Sequence, residues 1–596
     1  MNSKSLVKTV GLVVFIGSLA LWIATLFLSE YKLTRDTLSG LINHDEKMGE
    51  LDPYFADLYD QTYSNKLAFI SALKGKIKTA NEGIITKYQI SEPEIDALVP
   101  KGDGEVTFAM STLDEVFLGE GDVASFKRAI FQSYGGWLDG RTGPSSEIRS
   151  GIASTVGYIN ADILKSKGID KYTLKAIKVP VIKQASIGFV RANNRLLSIL
   201  IFIVGTIGAL MYILPKFSDG PAGIKHNGIF QSAMKNRGWL GILTGTFLIG
   251  FYILLYWFPE YITEWTLLLD PLSNLLKGSD ASQWFLYGFL YTVAVLVMGL
   301  RMMAKYRHSK YQLIRTASVM FFQTAFAFLI PEILVRLNQP YFDFKNIWPL
   351  DYDFFFSFNL VELTSSGGIG IFMLGWGLAL MILGVPIFTY IYGKRWYCSW
   401  VCGCGGLAET LGDPYRQLSD KRVKAWKFER WSIHSVLVFA VVMTAITLIN
   451  FFSKGQMLGS YTEPVQQAYG FAIGSAFAGV VGTGFYPLMG NRAWCRFGCP
   501  LAAYLGLIQR FKSRFRITTN GGQCISCGNC STYCEMGIDV RWYAQRGQNI
   551  VRSSCVGCGV CSSVCPRGVL KLENNEESGR FNDPILIGND GVKVIV

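Results

Sequence analysis

Residues 524–537 read CISCGNCSTYCEMG, and residues 555–568 read CVGCGVCSSVCPRG. Each stretch places four cysteines at the spacing C-x2-C-x2-C-x3-C: Cys524, Cys527, Cys530 and Cys534, then Cys555, Cys558, Cys561 and Cys565. This doubled run is the spacing that ligates two iron–sulfur cubanes. Three closely spaced thiolates on a tight loop reach three irons of one cubane, and the fourth Cys points at the other. Cys524, Cys527, Cys530 and Cys565 are therefore expected to hold one 4Fe–4S cluster. Cys555, Cys558, Cys561 and Cys534 are expected to hold the second. Gly528, Gly557 and Gly559 let the loops turn and bring N–H groups to the sulfurs. A zinc ribbon needs four ligands per ion, usually as two separated CxxC pairs, and the doubled run argues against it. One position departs from the pattern: Glu535 follows Cys534 where Pro566 follows Cys565.

All 13 cysteines lie from Cys398 onward. An odd number in short-spaced groups is not a disulfide framework and points to metal ligation in a reducing compartment. Two further groups lie at the ends of apolar runs. RWYCSWVCGCGG places Cys398 and Cys402 four apart, and RAWCRFGCP places Cys495 and Cys499 four apart. In a helix, positions i and i+4 share a face. Buried structural thiols are the plain alternative, but matched spacing at matched depth favours a third 4Fe–4S cluster held by these four thiolates. Cys404 is then a spare or alternative ligand.

The composition says where the clusters sit. Half of the 596 residues are hydrophobic and 17% are charged, too few charges for an ordinary soluble chain. Eight apolar runs are long enough to cross a bilayer: about 10–28, 196–214, 239–258, 284–303, 317–334, 369–392, 432–452 and 469–490. With the N-terminus inside, the short inner loops 215–238, 301–316 and 393–431 carry 17 Lys and Arg, and the outer loops 259–283, 335–366 and 453–468 carry 4. That bias sets the orientation. It also accounts for the net charge of +13 without a nucleic-acid partner. The expected fold is an integral membrane α-helical bundle of about eight spans, with an N-terminal extracytoplasmic α+β domain and a C-terminal two-cluster domain. The boundaries are 1–28 for an uncleaved anchor, 29–195 for the outer domain and 196–490 for the membrane region. Residues 491–516 carry the second CxxxC motif and a linker, 517–572 the two-cluster domain, and 573–596 a tail. The aromatic loop 340–358 reads as an interfacial belt, and 171–190 reads as extended with a break at Pro180.

One outer segment, EIRSGIASTVGYINADILKSKGI (147–169), resembles the flavin-attachment segment of membrane FMN-binding domains, in which a Thr hydroxyl carries the FMN phosphate. Ile152 and Ala153 stand where that pattern has Ala and Thr, so the resemblance implies Ser154 or Thr155 as the FMN carrier. The plain alternative is a turn with a Ser or Thr helix cap.

Paired CxxxC motifs at span ends, followed by a cytoplasmic two-cluster ferredoxin, resemble the NosR, NapH and CcoG group of membrane polyferredoxins over about residues 370–570. The outer domain makes the layout most like NosR. The resemblance implies a multi-pass protein of the bacterial inner membrane, with its N-terminal domain outside and its ferredoxin-like domain in the cytoplasm. Such a protein is an electron carrier rather than a stand-alone enzyme, because the cofactors do the chemistry and the chain sets position and potential. It would pass electrons between a cytoplasmic or quinol donor and an exported reductase. The alternatives are an assembly factor like CcoG, which reduces metal or thiols while an exported copper enzyme matures, and a redox-sensing regulator. Gly403 and Cys404 depart from the Cys-Pro continuation of the second motif.

Overall fold

A computed structural model of the chain describes residues 3–42, 44–99, 101–102, 104–117, 121–218, 238–574, 587–588 and 591–592. Most of the expected inner loop 215–238, and most of the tail 573–596, lie outside the described residues. The chain forms two compact units, one of Ile23–Asn194 with Glu260–Leu268, the other of Met1–Trp22, Arg195–Pro259 and Leu269–Val596.

The first unit is α+β and mainly helical. Its longest helix, Lys66–Tyr88, starts where Asn65 accepts the Leu67 N–H, and it buries Phe69, Ile70, Leu73, Ile77, Ala80, Ile84 and Tyr88. That three-and-four spacing is one helical stripe. Strands Thr62–Tyr63, Ser29–Lys32 and Ser186–Gly188 form an antiparallel sheet in that order. A second antiparallel pair joins Glu105–Thr107 to Thr142–Pro144. Residues 171–190 are not extended as expected. Lys171–Ala185 is a helix capped by Asp170, with Pro180 inside it, and only Ser186–Gly188 is strand. Ile177, Val181, Ile182 and Ala185 are buried at helical spacing, and that apolar stripe outweighs the β-branched composition. The segment Glu260–Leu268 belongs to this unit through its charges. Glu264 is fully buried and receives the Tyr31 hydroxyl and the Lys66 ammonium. Glu260 is 2.6 Å from Lys178. Buried carboxylates need such partners.

Among the described residues six helices are long and apolar enough to cross a membrane: Lys4–Phe27, Asn194–Pro215, Gln283–Lys305, Lys310–Arg336, Gly367–Tyr392 and Val423–Phe452. Gly241–Trp257 with Pro259–Leu267 makes a seventh if the pair, bent by 112°, is one span. The eighth expected run, 469–490, differs. It is helical through Gly484 and breaks at Phe485 before a short turn at Tyr486–Met489. Its five glycines through Gly484 dilute its apolarity, so it does not reach the same standard. They also let it pack closely: a Cβ on Gly479 would come within 2.7 Å of Tyr256, and one on Gly484 within 2.6 Å of Ile249. The aromatic loop is packed inward rather than arrayed as a belt. Phe342 and Phe354 join Leu363 and Met373 in one core. Ile347 and Phe356 join the core that holds the boundary cysteines. The Trp348 indole donates to Thr444.

Candidate iron–sulfur centres

The two four-Cys runs fold as two copies of one device. Strand Arg516–Thr519 leads into the first and pairs antiparallel with Leu570–Glu573, which leaves the second. Each run turns through a left-handed glycine, Gly528 or Gly559, into a single helical turn, Asn529–Thr532 or Val560–Ser563. Ser526 takes the left-handed backbone (φ 59°) that Gly557 takes in the other copy, a position the sequence reading missed. One cavity is lined by Cys524, Cys527, Cys530 and Cys565. Another is lined by Cys555, Cys558, Cys561 and Cys534. The crossed pattern thus groups the thiols as the spacing implies, and four thiols around one small cavity suit an iron–sulfur cubane. Backbone N–H groups reach the crossing sulfurs, Ile538 to Cys534 at 3.4 Å and Val569 to Cys565 at 3.3 Å. The first site opens to solvent, with Cys527 exposed. In the second, Cys555 and Cys561 are buried.

The boundary motifs are also paired, but not as two helix faces. Cys398 ends the short helix Arg395–Cys398, and Cys402 is the N-cap of Gly403–Thr410. Cys495 lies in Ala493–Phe497, and Cys499 is the N-cap of Pro500–Lys512. The i,i+4 expectation is corrected: each pair straddles a helix break. The Cys402 N–H bonds back to the Tyr397 carbonyl at 2.8 Å, and the Cys499 N–H to the Trp494 carbonyl at 2.9 Å. The Cys499 sulfur accepts the Ala502 N–H at 3.4 Å, and Gly405 plays that part for Cys402. Gly393 and Gly490 turn into the two motifs with positive φ. All four thiols are about 5–6% exposed and share one core, and Cys499 feels the charges of Cys495, Cys398 and Cys402.

Cys404 is the second residue of the helix that Cys402 caps. Its thiol is hydrogen-bonded to Cys402, which lowers the Cys402 pKa. It lines a separate cavity with Tyr256, Tyr287, Tyr291, Tyr486 and Cys495. Lys345, in the aromatic loop, is close enough to lower the Cys402 pKa further.

Thr155 does not suit the flavin role. It lies in the middle of the helix Ser145–Ser166, is 2% exposed, and its hydroxyl donates to the Gly151 carbonyl at 3.0 Å. Ser154 is exposed on the surface of the same helix. Neither is a helix cap.

A buried ion network, invisible in the cysteine spacing, links the two kinds of site. Glu409 is paired with Arg315 at 2.9 Å, Arg416 at 2.6 Å and Arg492 at 2.7 Å. Asp413 is paired with Arg301 and Lys305, each at 2.8 Å, and with Arg416 at 3.3 Å. Glu535 is paired with Arg416 at 2.8 Å and Arg492 at 3.2 Å. The departure from Cys-Pro at Glu535 is thus a network member. Burial disfavours ionised Glu409, but the three arginines hold its carboxyl well below the usual carboxylate range. Lys305, Arg301 and Arg416 do the same for Asp413. At one end Arg492 approaches the Cys495 sulfur at 3.6 Å and donates to the Cys398 carbonyl at 3.1 Å. At the other end Arg416 approaches the Cys558 sulfur at 3.8 Å.

Comparison with known proteins agrees with this geometry. A family described as 4Fe-4S dicluster domain matches residues 523–570. One described as 4Fe-4S binding domain matches twice, at 374–426 and 470–518, each match covering one boundary motif. The chain is 28% identical over 173 residues to the Escherichia coli K12 protein named electron transport protein YccM, covering 27% of this chain and 47% of that one. It is 28% identical over 176 residues to the methylamine utilization ferredoxin-type protein MauN of Paracoccus denitrificans, covering 27% of this chain and 56% of that one. The chain therefore spans about half the length of these curated relatives. No solved structure matches. The chain carries 4Fe–4S ferredoxin-type domains together with several helices able to span a membrane.

Proposed function

We propose that the protein passes single electrons from a cytoplasmic or quinol donor, through its cysteine sites in series, to an exported reductase on the far side of the inner membrane, as in the NosR and NapH layout. The observation that carries this reading is the succession of sites: an exposed four-thiol cavity, a more buried one, then four buried thiols at the span ends. The exposed site, at Cys524, Cys527, Cys530 and Cys565, suits exchange with a soluble partner. Lys345 supports an exit toward the other side, because its loop was expected outside and its charge is felt at Cys402. The chain's residues hold, space and electrostatically tune the clusters; bound clusters supply the one-electron chemistry.

A second reading rests on one observation. The hydrogen-bonded Cys402 and Cys404 thiols would suit an assembly factor that reduces metal or thiols for an exported copper enzyme. Proteoliposomes separate the two readings. With the ferredoxin domain facing out, external dithionite should reduce trapped ferricyanide, and the Cys495→Ser, Cys499→Ser variant should not support this. Trapped ferricyanide left oxidised by the iron-replete protein would overturn electron export and leave the assembly role.

A further inference from the structure

The network around Glu409 has an uneven charge count. Five cations, Arg301, Lys305, Arg315, Arg416 and Arg492, face three carboxylates, Glu409, Asp413 and Glu535. Each of the eight is less than 5% exposed. Buried ion groups normally balance, because each uncompensated charge carries a large desolvation cost. Among the described residues these cations outnumber the carboxylates by two, and two of the arginines, Arg416 and Arg492, approach cysteine sulfurs. The surplus makes sense only if negative charge arrives from elsewhere. Thiolate-ligated clusters bring it, since four thiolates outweigh the charge of the iron–sulfide core and each reduction adds one more negative charge.

We infer that this network is an electrostatic tuner: it holds surplus positive charge between Cys558 and Cys495 and so raises the reduction potentials of the two sites it touches above that of the solvent-open site at Cys524, Cys527, Cys530 and Cys565. The inference rests on the reading of Cys534, Cys555, Cys558 and Cys561, and of the four boundary cysteines, as cluster ligands. The physical step is simple. Reduction adds negative charge, nearby positive charge stabilises the reduced form, and in a buried site screening is weak. An electron moving between the two sites breaks no bond; one site is oxidised by one electron and the other reduced by one. The ordering makes the passage inward from the open site downhill. Glu535 has a definite part in this. Proline at that position would leave Arg416 and Arg492 without one of their carboxylates, so the residue that breaks the Cys-Pro pattern moderates the surplus. Gln312 fixes the geometry from the side, accepting from Arg315 at 2.6 Å and donating to the Cys558 carbonyl at 2.8 Å.

The test is a potentiometric titration of the purified full-length protein followed by EPR, with iron counted in each variant. Glu409→Gln removes a negative charge and should shift the signals of both touched sites upward. Arg416→Gln removes a positive charge and should shift the Cys558 site downward. Each should change the reduced-to-oxidised ratio at a fixed solution potential by roughly tenfold. Arg416→Lys keeps the charge and should restore the parent value. The open site should stay fixed throughout and serves as the internal control. If Glu409→Gln does not fold, Asp413→Asn makes the same charge change from the other end of the network. Full iron with unmoved potentials, or shifts of the same sign in the Gln variants of Glu409 and Arg416, would overturn the tuner. Iron that is already short in the parent protein would instead overturn the ligand reading beneath it.

Discussion

Thr155 separates a motif resemblance from a usable site. A hydroxyl that is 2% exposed and already donates to the Gly151 carbonyl cannot carry an external phosphate unless its helix opens. Denatured protein from a strain that flavinylates other proteins should therefore give a gel band without ultraviolet fluorescence. A fluorescent band that disappears in Thr155→Ala would overturn this and restore the flavin domain. A band that disappears only in Ser154→Ala would move the attachment to the exposed neighbour. At the residue scale, legibility followed sequence distance. The eight C-terminal cysteines could be grouped from spacing, because short loops leave few ways to place three thiols around one cubane. Glu535 was visible as an oddity, but its meaning was not, because its partners Arg416 and Arg492 lie in other segments. The Glu409 network was hidden for the same reason: Arg315, Arg416 and Arg492 come from three separate segments of the chain.

The boundary motif is an element in its own right: a positive-φ glycine, a short helix ending near one Cys, then a second Cys capping the next helix. Two copies supply four thiols, the number that one cubane needs. Replacing Cys495 and Cys499 with Ser should lower iron from about 12 to about 8 per chain. Cys402→Ser should do the same, while Cys404→Ser should leave the iron unchanged, since Cys404, two residues further on, lines the tyrosine cavity. Iron lost in Cys404→Ser but kept in Cys402→Ser would exchange their roles. The CxxxC spacing was legible as a pair, but the break within each pair was not. Gly403 and Pro500 immediately follow the capping cysteines, and proline suits the first position of a new helix better than the interior of an old one. Composition misled in a similar way at 171–185, where β-branched residues suggested a strand, yet Pro180 is accommodated in a helix held by its apolar stripe.

At the scale of the whole molecule, sidedness decides which partners the cysteine sites can meet. The segment Glu260–Leu268 follows an apolar helix and folds into the same unit as Ile23–Asn194, its Glu264 buried against Tyr31 and Lys66. Such a pairing requires the two segments to share one side of the membrane. The loop charges, 17 Lys and Arg on the expected inner loops against 4 on the expected outer ones, give the expectation that 259–283 lies outside, and 29–195 would lie there with it. The sequence offers eight apolar runs, and the described residues hold six helices, or seven with the bent pair, that have the length and apolarity of a span. The sidedness does not depend on that last run alone: the ferredoxin domain packs with the boundary motifs in one core, so it must lie on their side. A periplasmic reporter fused after residue 100 should therefore be active, and one fused after residue 570 inactive. Activity at both fusions would put the cysteine sites outside. Cluster assembly there would be hard to explain, and the even-span topology would fall with the inward-facing ferredoxin.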